Sequence, residues 1–290
     1  MSQFLQFVFS GLTIGAIYAL VALGFNIIYN ASDVMNFAQG EFVMIGGVAT
    51  FVLYAAGVPL VLAGFLSIAI AAVVGLLLYR LAIEPARKAT PVTLIIITIG
   101  ASIFLRGVVQ VLVDERFHTL PPFSGDKPFV IGGAVILPQS LWVFGGTIAI
   151  VAAIAWFLNR TLLGKAVLAT SGNPLAAKLV GIDTASVTSL AFILSAAIGA
   201  AGGLLITPIA LTGYNVGTVL GLKGFAAAML GGIGDPRGAV VGGLLLGLLE
   251  TFGAGYLSSD YKDAVAFVLI ILVLFVFPAG ILGRARVERV

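Results

Sequence analysis

Residues 4–29 read FLQFVFSGLTIGAIYALVALGFNIIY, a run of 26 positions without one charged side chain. At ~1.5 Å rise per residue it makes a helix of roughly 39 Å, longer than the ~30 Å hydrocarbon core of a bilayer. In lipid every backbone N–H and C=O must find its partner inside the segment, so such a run predicts a spanning helix. Eight further apolar segments follow, at about 37–56, 59–80, 92–113, 137–158, 187–211, 219–233, 239–257 and 264–283. The second is edged by Asn36, Gln39 and Glu41, and the seventh is short and opens with Gly221 and Lys223. These two read as either broken or re-entrant segments. The strictly alternating ~10-residue segments of a membrane β-barrel are absent. The expectation is an all-α polytopic membrane protein with eight or nine transmembrane segments in one domain over residues 1–290. The first run lacks a basic leader and a cleavage site, and reads as a retained span rather than a signal peptide.

Composition narrows the chemistry. The chain is 60% hydrophobic and 9% charged, against about 25% charged in soluble domains. It has no cysteine and one histidine, His118, which excludes thiolate sites and argues against a histidine-based metal centre. No cofactor is expected. The basic residues sit in separate loops, so no nucleic-acid partner is expected either. Thirty-seven glycines suit close helix–helix approach in lipid.

Lys and Arg set the orientation. Loops 80–91, 159–186 and 231–238 and the C-terminal tail carry ten of them: Arg80, Arg87, Lys88, Arg160, Lys165, Lys178, Arg237, Arg284, Arg286 and Arg289. The other side keeps Arg116, Lys127, Lys223 and Lys262. The first side is therefore expected to be cytoplasmic, and with nine spans the N-terminus lies outside. The 114–136 loop falls outside too and reads as an ordinary connection or a contact for an external partner.

The interval 159–186 is long and polar for so apolar a chain. Within it Asn173-Pro174-Leu175-Ala176-Ala177-Lys178-Leu179-Val180-Gly181 has an N-cap, a proline at the first helical position and a terminating glycine. It predicts a short helix, either docking a soluble partner or lying on the membrane surface. There is also an internal echo. Tyr29-Asn30, Val34, Met44 and Gly46-Gly47 recur 185 residues later as Tyr214-Asn215, Val219, Met229 and Gly231-Gly232. Five spans separate the copies, which would make the repeat an inverted one.

Polar groups inside spans are costly and mark pathways or pairing. Glu41, Arg106 and Glu250 read either way, with no indication of which carboxylate Arg106 meets. Asn26, Asn36, Gln39 and Gln110 either contact a polar solute or bond across helices, and Lys223 is either a pathway residue or a snorkelling anchor. The glycine-rich turn 231–238 has neither phosphate-loop spacing. Asn173-Pro174 stands alone, without the second half-helix of a water channel. No nucleotide-binding motif and no paired ion-coupling carboxylates are present, so an energised transporter needs an ATPase from another chain.

The residues then carry a resemblance along nearly the whole length. It lies in Gly11 to Glu41, Ile83-Glu84-Pro85-Ala86-Arg87, Ser102-Ile103-Phe104-Leu105, Ala176 to Ile182, Lys223-Gly224-Phe225 through Gly234, Tyr256 to Asp263 and Pro278 to Arg284. The chain resembles the LivH-type permease subunits of bacterial branched-chain amino acid ABC importers. That resemblance implies a plasma (inner) membrane location, a LivM-like second permease, two cytoplasmic ABC ATPases and an extracytoplasmic amino-acid-binding protein. It also implies a docking loop of pattern Glu-Ala-Ala-x-x-x-Gly, matched at Ala176, Ala177 and Gly181, with Leu175 in place of the glutamate. The chain itself is not expected to be an enzyme. Alternatives are an ion-coupled secondary transporter, a passive channel, or an ABC permease for urea, amides or other neutral amino acids.

Overall fold

The computed structural model describes residues 2–256 and 262–283. The expectations placed on Leu257 to Tyr261 and on Arg284, Arg286 and Arg289 lie outside the described residues. Eleven helices follow in order: α1 (Ser2–Ser32), α2 (Gln39–Ala55), α3 (Leu60–Leu78), α4 (Pro91–Val113), α5 (Pro138–Arg160), α6 (Leu162–Gly172), α7 (Pro174–Leu179), α8 (Thr184–Ile206), α9 (Val216–Gly231), α10 (Pro236–Tyr256) and α11 (Lys262–Val276). A π-helical turn, Tyr79–Ile83, extends α3, and a hairpin of β1 (Phe129–Ile131) and β2 (Ala134–Ile136) precedes α5.

Among the described residues six helices are long and apolar enough to cross a bilayer: α1, α3 with its π turn, α4, α5, α8 and α10. The two segments read as broken or re-entrant form α2 and α9, apolar helices of 17 and 16 residues, shorter than each of those six. Each is only about 25 Å long. Each also follows a connection, 33–38 before α2 and 207–215 before α9, several residues of which are buried.

Helices α1–α3 and α8–α10 are paired by a pseudo-two-fold relation. α1 packs on α10 as α8 packs on α3, α1 on α9 as α8 on α2, and α2 on α3 as α9 on α10. Directions agree. α1 runs antiparallel to α10, with Gly11 against Gly247 and Gly15 against Gly243. α3 runs antiparallel to α8, with Gly64 against Leu204 and Gly75 against Phe192. α1 and α8 cross antiparallel, Gly24 beside Ser195 and Ala31 beside Thr188. The repeat is therefore inverted, as expected, but its register is not the 185-residue echo. Met44 lies in the first half of α2 and Met229 in the last turn of α9. Those matches are chance identities among small and apolar residues.

Small residues make this possible. A Cβ on Gly15 would stand 2.9 Å from the Gly243 carbonyl oxygen and from Leu244 Cα, so the α1 and α10 backbones touch directly. α3, α4 and α5 keep most of their apolar side chains on the outside, where a bilayer lies.

The two ends of the bundle separate cleanly. Gln6 of α1 exchanges hydrogen bonds with the Val135 backbone, donating at 3.1 Å and accepting at 2.7 Å. The N-terminal end of α1 thus sits with the 114–136 connection. The other end of α1 meets the 232–235 turn, where Asn26 Nδ2 donates to Asp235 O (2.9 Å) and Asn30 Nδ2 to Gly234 O (2.8 Å). Gly232 and Gly234 have φ of +112° and +90° there, confirming a tight turn. Lys223 does not belong to the outer loops. It is buried within α9, which sharpens the charge asymmetry between the faces.

Candidate functional site

Three polar centres stand out: a knob on the basic face and two charged clusters inside the bundle. The knob is α7. Asn173 caps it, its Oδ1 accepting from Ala176 N at 3.0 Å, and Pro174 opens the first turn. Gly181 ends it at φ +88°, a left-handed conformation that glycine adopts freely. Leu175 is 69% exposed, Leu179 81% and Val180 76%, whereas Ala177 is 3% exposed and turned into the protein. The other two matched positions, Ala176 and Gly181, are exposed. Ala177 seats the knob on its own chain, Gly181 terminates it, and the outward surface is apolar. Lys178 is exposed on the same helix. The preceding α6 was not anticipated. Its signal lay in Thr161, whose hydroxyl accepts from Gly164 N at 2.9 Å as an N-cap, before the apolar Leu162, Leu163, Ala166 and Val167.

The second centre lies where the N-terminal ends of α2 and α9 meet, Gly40 against Gly217 and Gly221. Glu41, in the first turn of α2, is 1% exposed. Its Oε1 accepts from Ser102 Oγ of α4 at 2.8 Å and from Thr218 Oγ1 of α9 at 3.3 Å. Arg106 donates to the same Thr218 hydroxyl at 2.9 Å. The carboxylate near Arg106 is thus Glu41, reached through Thr218. A helix N-terminus favours a negative side chain in its first turn, which suits Glu41 here.

The third centre is an ion pair. Lys223 Nζ of α9 lies 2.7 Å from Glu250 Oε1 of α10, both buried. Tyr18 of α1 donates its hydroxyl to Glu250 Oε2 at 2.7 Å. The snorkelling reading of Lys223 is corrected, because its ammonium points into three packed helices.

Of the remaining polar residues Gln39 bonds across helices, whereas Asn36 and Gln110 make local bonds. Gln39 Nε2 donates to Ser195 O at 3.2 Å, Asn36 Oδ1 accepts from Ala38 N at 3.1 Å, and Gln110 Nε2 donates to Glu115 at 2.8 Å. Of the six candidate pathway residues only Arg106 is partly exposed; Asn36, Gln39, Glu41, Lys223 and Glu250 are buried. Beside Arg106, α9 leaves one strip open, with Asn215, Val219 and Leu222 exposed. No group of three or more potential metal-ligating side chains occurs among the described residues.

On the opposite face His118 stacks on Phe51 at a centroid distance of 4.0 Å, and its backbone pairs with Thr212. Asp114 accepts from Arg116 N and contacts His118 Nε2 at 3.0 Å, and these hydrogen bonds hold its carboxyl below the ordinary range. The 114–136 connection is an ordered cap joining α4 to the α8–α9 connection.

Residues 7–274 match the family described as "Branched-chain amino acid transport system / permease component". The chain belongs to that permease family. It is 39% identical to the high-affinity branched-chain amino acid permease LivH of Escherichia coli K12, over 99% of this chain and 98% of that protein. It is 36% identical, over the same shares, to BraD of Pseudomonas aeruginosa. A more distant likeness, 29% identity over 61% of this chain and 57% of the other, is to the ribose import permease RbsC of Haemophilus influenzae. In three dimensions the permease resembles PsaBC of Streptococcus pneumoniae at a TM-score of 0.52 and 15% identity, covering 94% of this chain and 91% of the other. That likeness shows a shared fold.

Proposed function

We propose that the chain is one membrane subunit of an ATP-driven importer of branched-chain amino acids in a bacterial inner membrane. In this reading it pairs with a LivM-like permease, takes amino acid from an extracytoplasmic binding protein, and docks an ABC ATPase at α7 on the cytoplasmic, basic face. The observation that carries the docking is the knob itself, a capped six-residue helix presenting Leu175, Leu179 and Val180 to water. A short helix keeps such apolar residues exposed where a partner covers them. The solute class rests on the relatives over the full chain length. The chain supplies no covalent chemistry. ATP-driven closure of two ATPases moves the knob, and states shift only by differential affinity for them. We place the pathway wall along the open strip of α9, Asn215, Val219 and Leu222, with Arg106 at its edge. Val219 and Leu222 then offer an aliphatic side chain apolar contacts.

The test is reconstitution of the permease pair with and without its ATPases and binding protein, with leucine uptake measured in liposomes. ATP-dependent uptake that requires all parts is expected. Uptake without ATPase makes the chain a secondary transporter, and flux without ATP or binding protein makes it a channel. Leu179→Glu is expected to abolish ATPase co-purification while leaving the permease pair intact; full co-purification overturns the docking assignment. Binding of leucine, urea or amides to the isolated binding protein decides the solute.

A further inference from the structure

On the basic face a cleft of about 560 Å³ opens between the end of α1, the π turn, the start of α4, α7 and the start of α8. Its charged lining is Asp33, Glu84, Arg87, Lys88 and Lys178, three cations against two carboxylates. A second cavity of about 410 Å³ lies between α3 and α4 and is lined by apolar residues throughout, among them Leu77, Leu81, Ile97 and Phe104. No residue lines both, but the two lie side by side along both helices. Tyr79 and Ile83 line the cleft where Leu78 and Ala82 line the groove, and Leu94 of the cleft is one turn before Ile97 of the groove. From Ile97 to Leu105 the groove extends about 12 Å, most of the ~15 Å depth of one leaflet.

We propose that cleft and groove together bind one anionic glycerophospholipid of the leaflet on the basic face. Its phosphate sits with Arg87, Lys88 and Lys178, and one acyl chain lies between α3 and α4. The excess positive charge at the mouth matches a single phosphodiester, and basic pockets between helices on the cytoplasmic side are a recurrent way of holding such headgroups. The apolar groove has the chemistry and depth of a chain rather than of water. The groove exists because α3 and α4 splay apart around the π turn; α4 packs on that turn and on α2 instead. Gly100 faces into it, and a Cβ there would meet nothing within 4 Å. Lys178 and Pro174 belong to α7, so the headgroup touches the knob directly. The site stands whether or not α7 docks an ATPase.

The experiment measures lipid binding to the full chain in detergent, by native mass spectrometry and by thermal shift. It compares phosphatidylglycerol with phosphatidylcholine of the same chains, and uses glycerol 3-phosphate as a headgroup without chains. Phosphatidylglycerol is expected to bind at least tenfold more tightly than phosphatidylcholine, and glycerol 3-phosphate is expected not to displace it. Arg87→Gln with Lys88→Gln should bring the two lipids near parity. Gly100→Leu fills open space, so the protein should melt no lower while losing at least tenfold in phosphatidylglycerol affinity. Equal binding of the two lipids, displacement by glycerol 3-phosphate, or unchanged binding in Gly100→Leu overturns the proposal. If the double glutamine variant misfolds, Gly100→Leu decides alone.

Discussion

Replacing Lys223 by Met, Glu250 by Leu, and both together separates structural pairing from a pathway role. At 2.7 Å and an effective dielectric of 20, the Coulomb attraction of the pair is about 6 kcal/mol. Removing both ions from water costs several kcal/mol each, so the pair's net worth against a packed apolar pair is small. A single replacement is different, because it leaves one buried charge without its partner. That loss is about 3–5 kcal/mol, or roughly 6–10 °C in melting temperature at ~2 °C per kcal/mol for a chain of this size. Tyr18 still reaches Glu250 in Lys223→Met, so that variant should fall at the lower end. The double variant should recover to within about 2 kcal/mol of wild type, giving a coupling of several kcal/mol. Thermal melting of the purified chain in detergent reads all four proteins. Single variants that melt like wild type refute the structural assignment. If they also lose uptake in the reconstituted importer, the pair acts in transport.

Thr218→Val keeps the shape of the side chain but deletes the hydroxyl shared by Arg106 and Glu41. It should lower stability by about 2–4 kcal/mol, as expected for two hydrogen bonds to charged groups, and Thr218→Ser should restore most of it in the same melting assay. Gly243→Val would put a Cβ onto the Ala19 backbone and should cost about 1–3 kcal/mol or more by overpacking. Gly145→Ala in α5 meets nothing and should gain up to ~1 kcal/mol. Asp183 caps α8, and hydrogen bonds from Ser186 and from Ala185 N hold its carboxyl below the ordinary value. A lowered folded value means its contribution is present above the ordinary carboxylate value of about 4 and is lost as pH falls through the folded one. Asp183→Ala should therefore melt below wild type at pH 7, with the gap closing only in that acid range.

The spans were legible because lipid imposes one rule on every residue of a segment, and runs such as 59–80 and 137–158 obey it. α2 and α9 were legible as odd because Glu41 and Lys223 interrupt that rule. The partners of those charges were not legible. Glu41 meets Ser102 and Thr218, 61 and 177 positions away, and no local pattern encodes distances set by the packing of α4 and α9. The echo misled because glycine, methionine and valine recur by chance in a chain this apolar, whereas the real repeat lives in helix length and direction. In α7 the capping residues could be read one by one, but the side that faces out depends on where α6 and α8 place the helix. Ala177 is the residue that this placement turns inward. α6 and the hairpin at 129–136 escaped notice because both are short and lie in intervals read as connections.

The interior polar residues follow from the two short helices. A helix that begins inside a membrane exposes its first N–H groups to lipid or to protein, and in lipid that is costly. The chain entering α2 is met by side chains at each step. Thr98 Oγ1 accepts from Phe37 N at 3.1 Å and Asn36 Oδ1 from Ala38 N at 3.1 Å. Thr98 in turn donates to Ile95 O of its own helix at 2.8 Å, with Met35 O 3.3 Å away. Thr98, Ser102 and Arg106 recur every fourth position of α4, so one face of that helix serves both short-helix entrances: Thr98 and Ser102 at α2, Arg106 through Thr218 at α9. Among α4 residues only Leu94, Thr98 and Ser102 are buried. α4 is thus held to the bundle by these hydrogen bonds together with the apolar packing of Ile97, Ala101, Leu105, Val109 and Val113. Displacing it would strip Glu41 of Ser102 and remove the bond from Arg106 to Thr218. The inverted repeat brings the N-terminal ends of the two shorter helices, α2 and α9, together, and α4 supplies polar partners at both. This is why Arg106 stands in an otherwise apolar span.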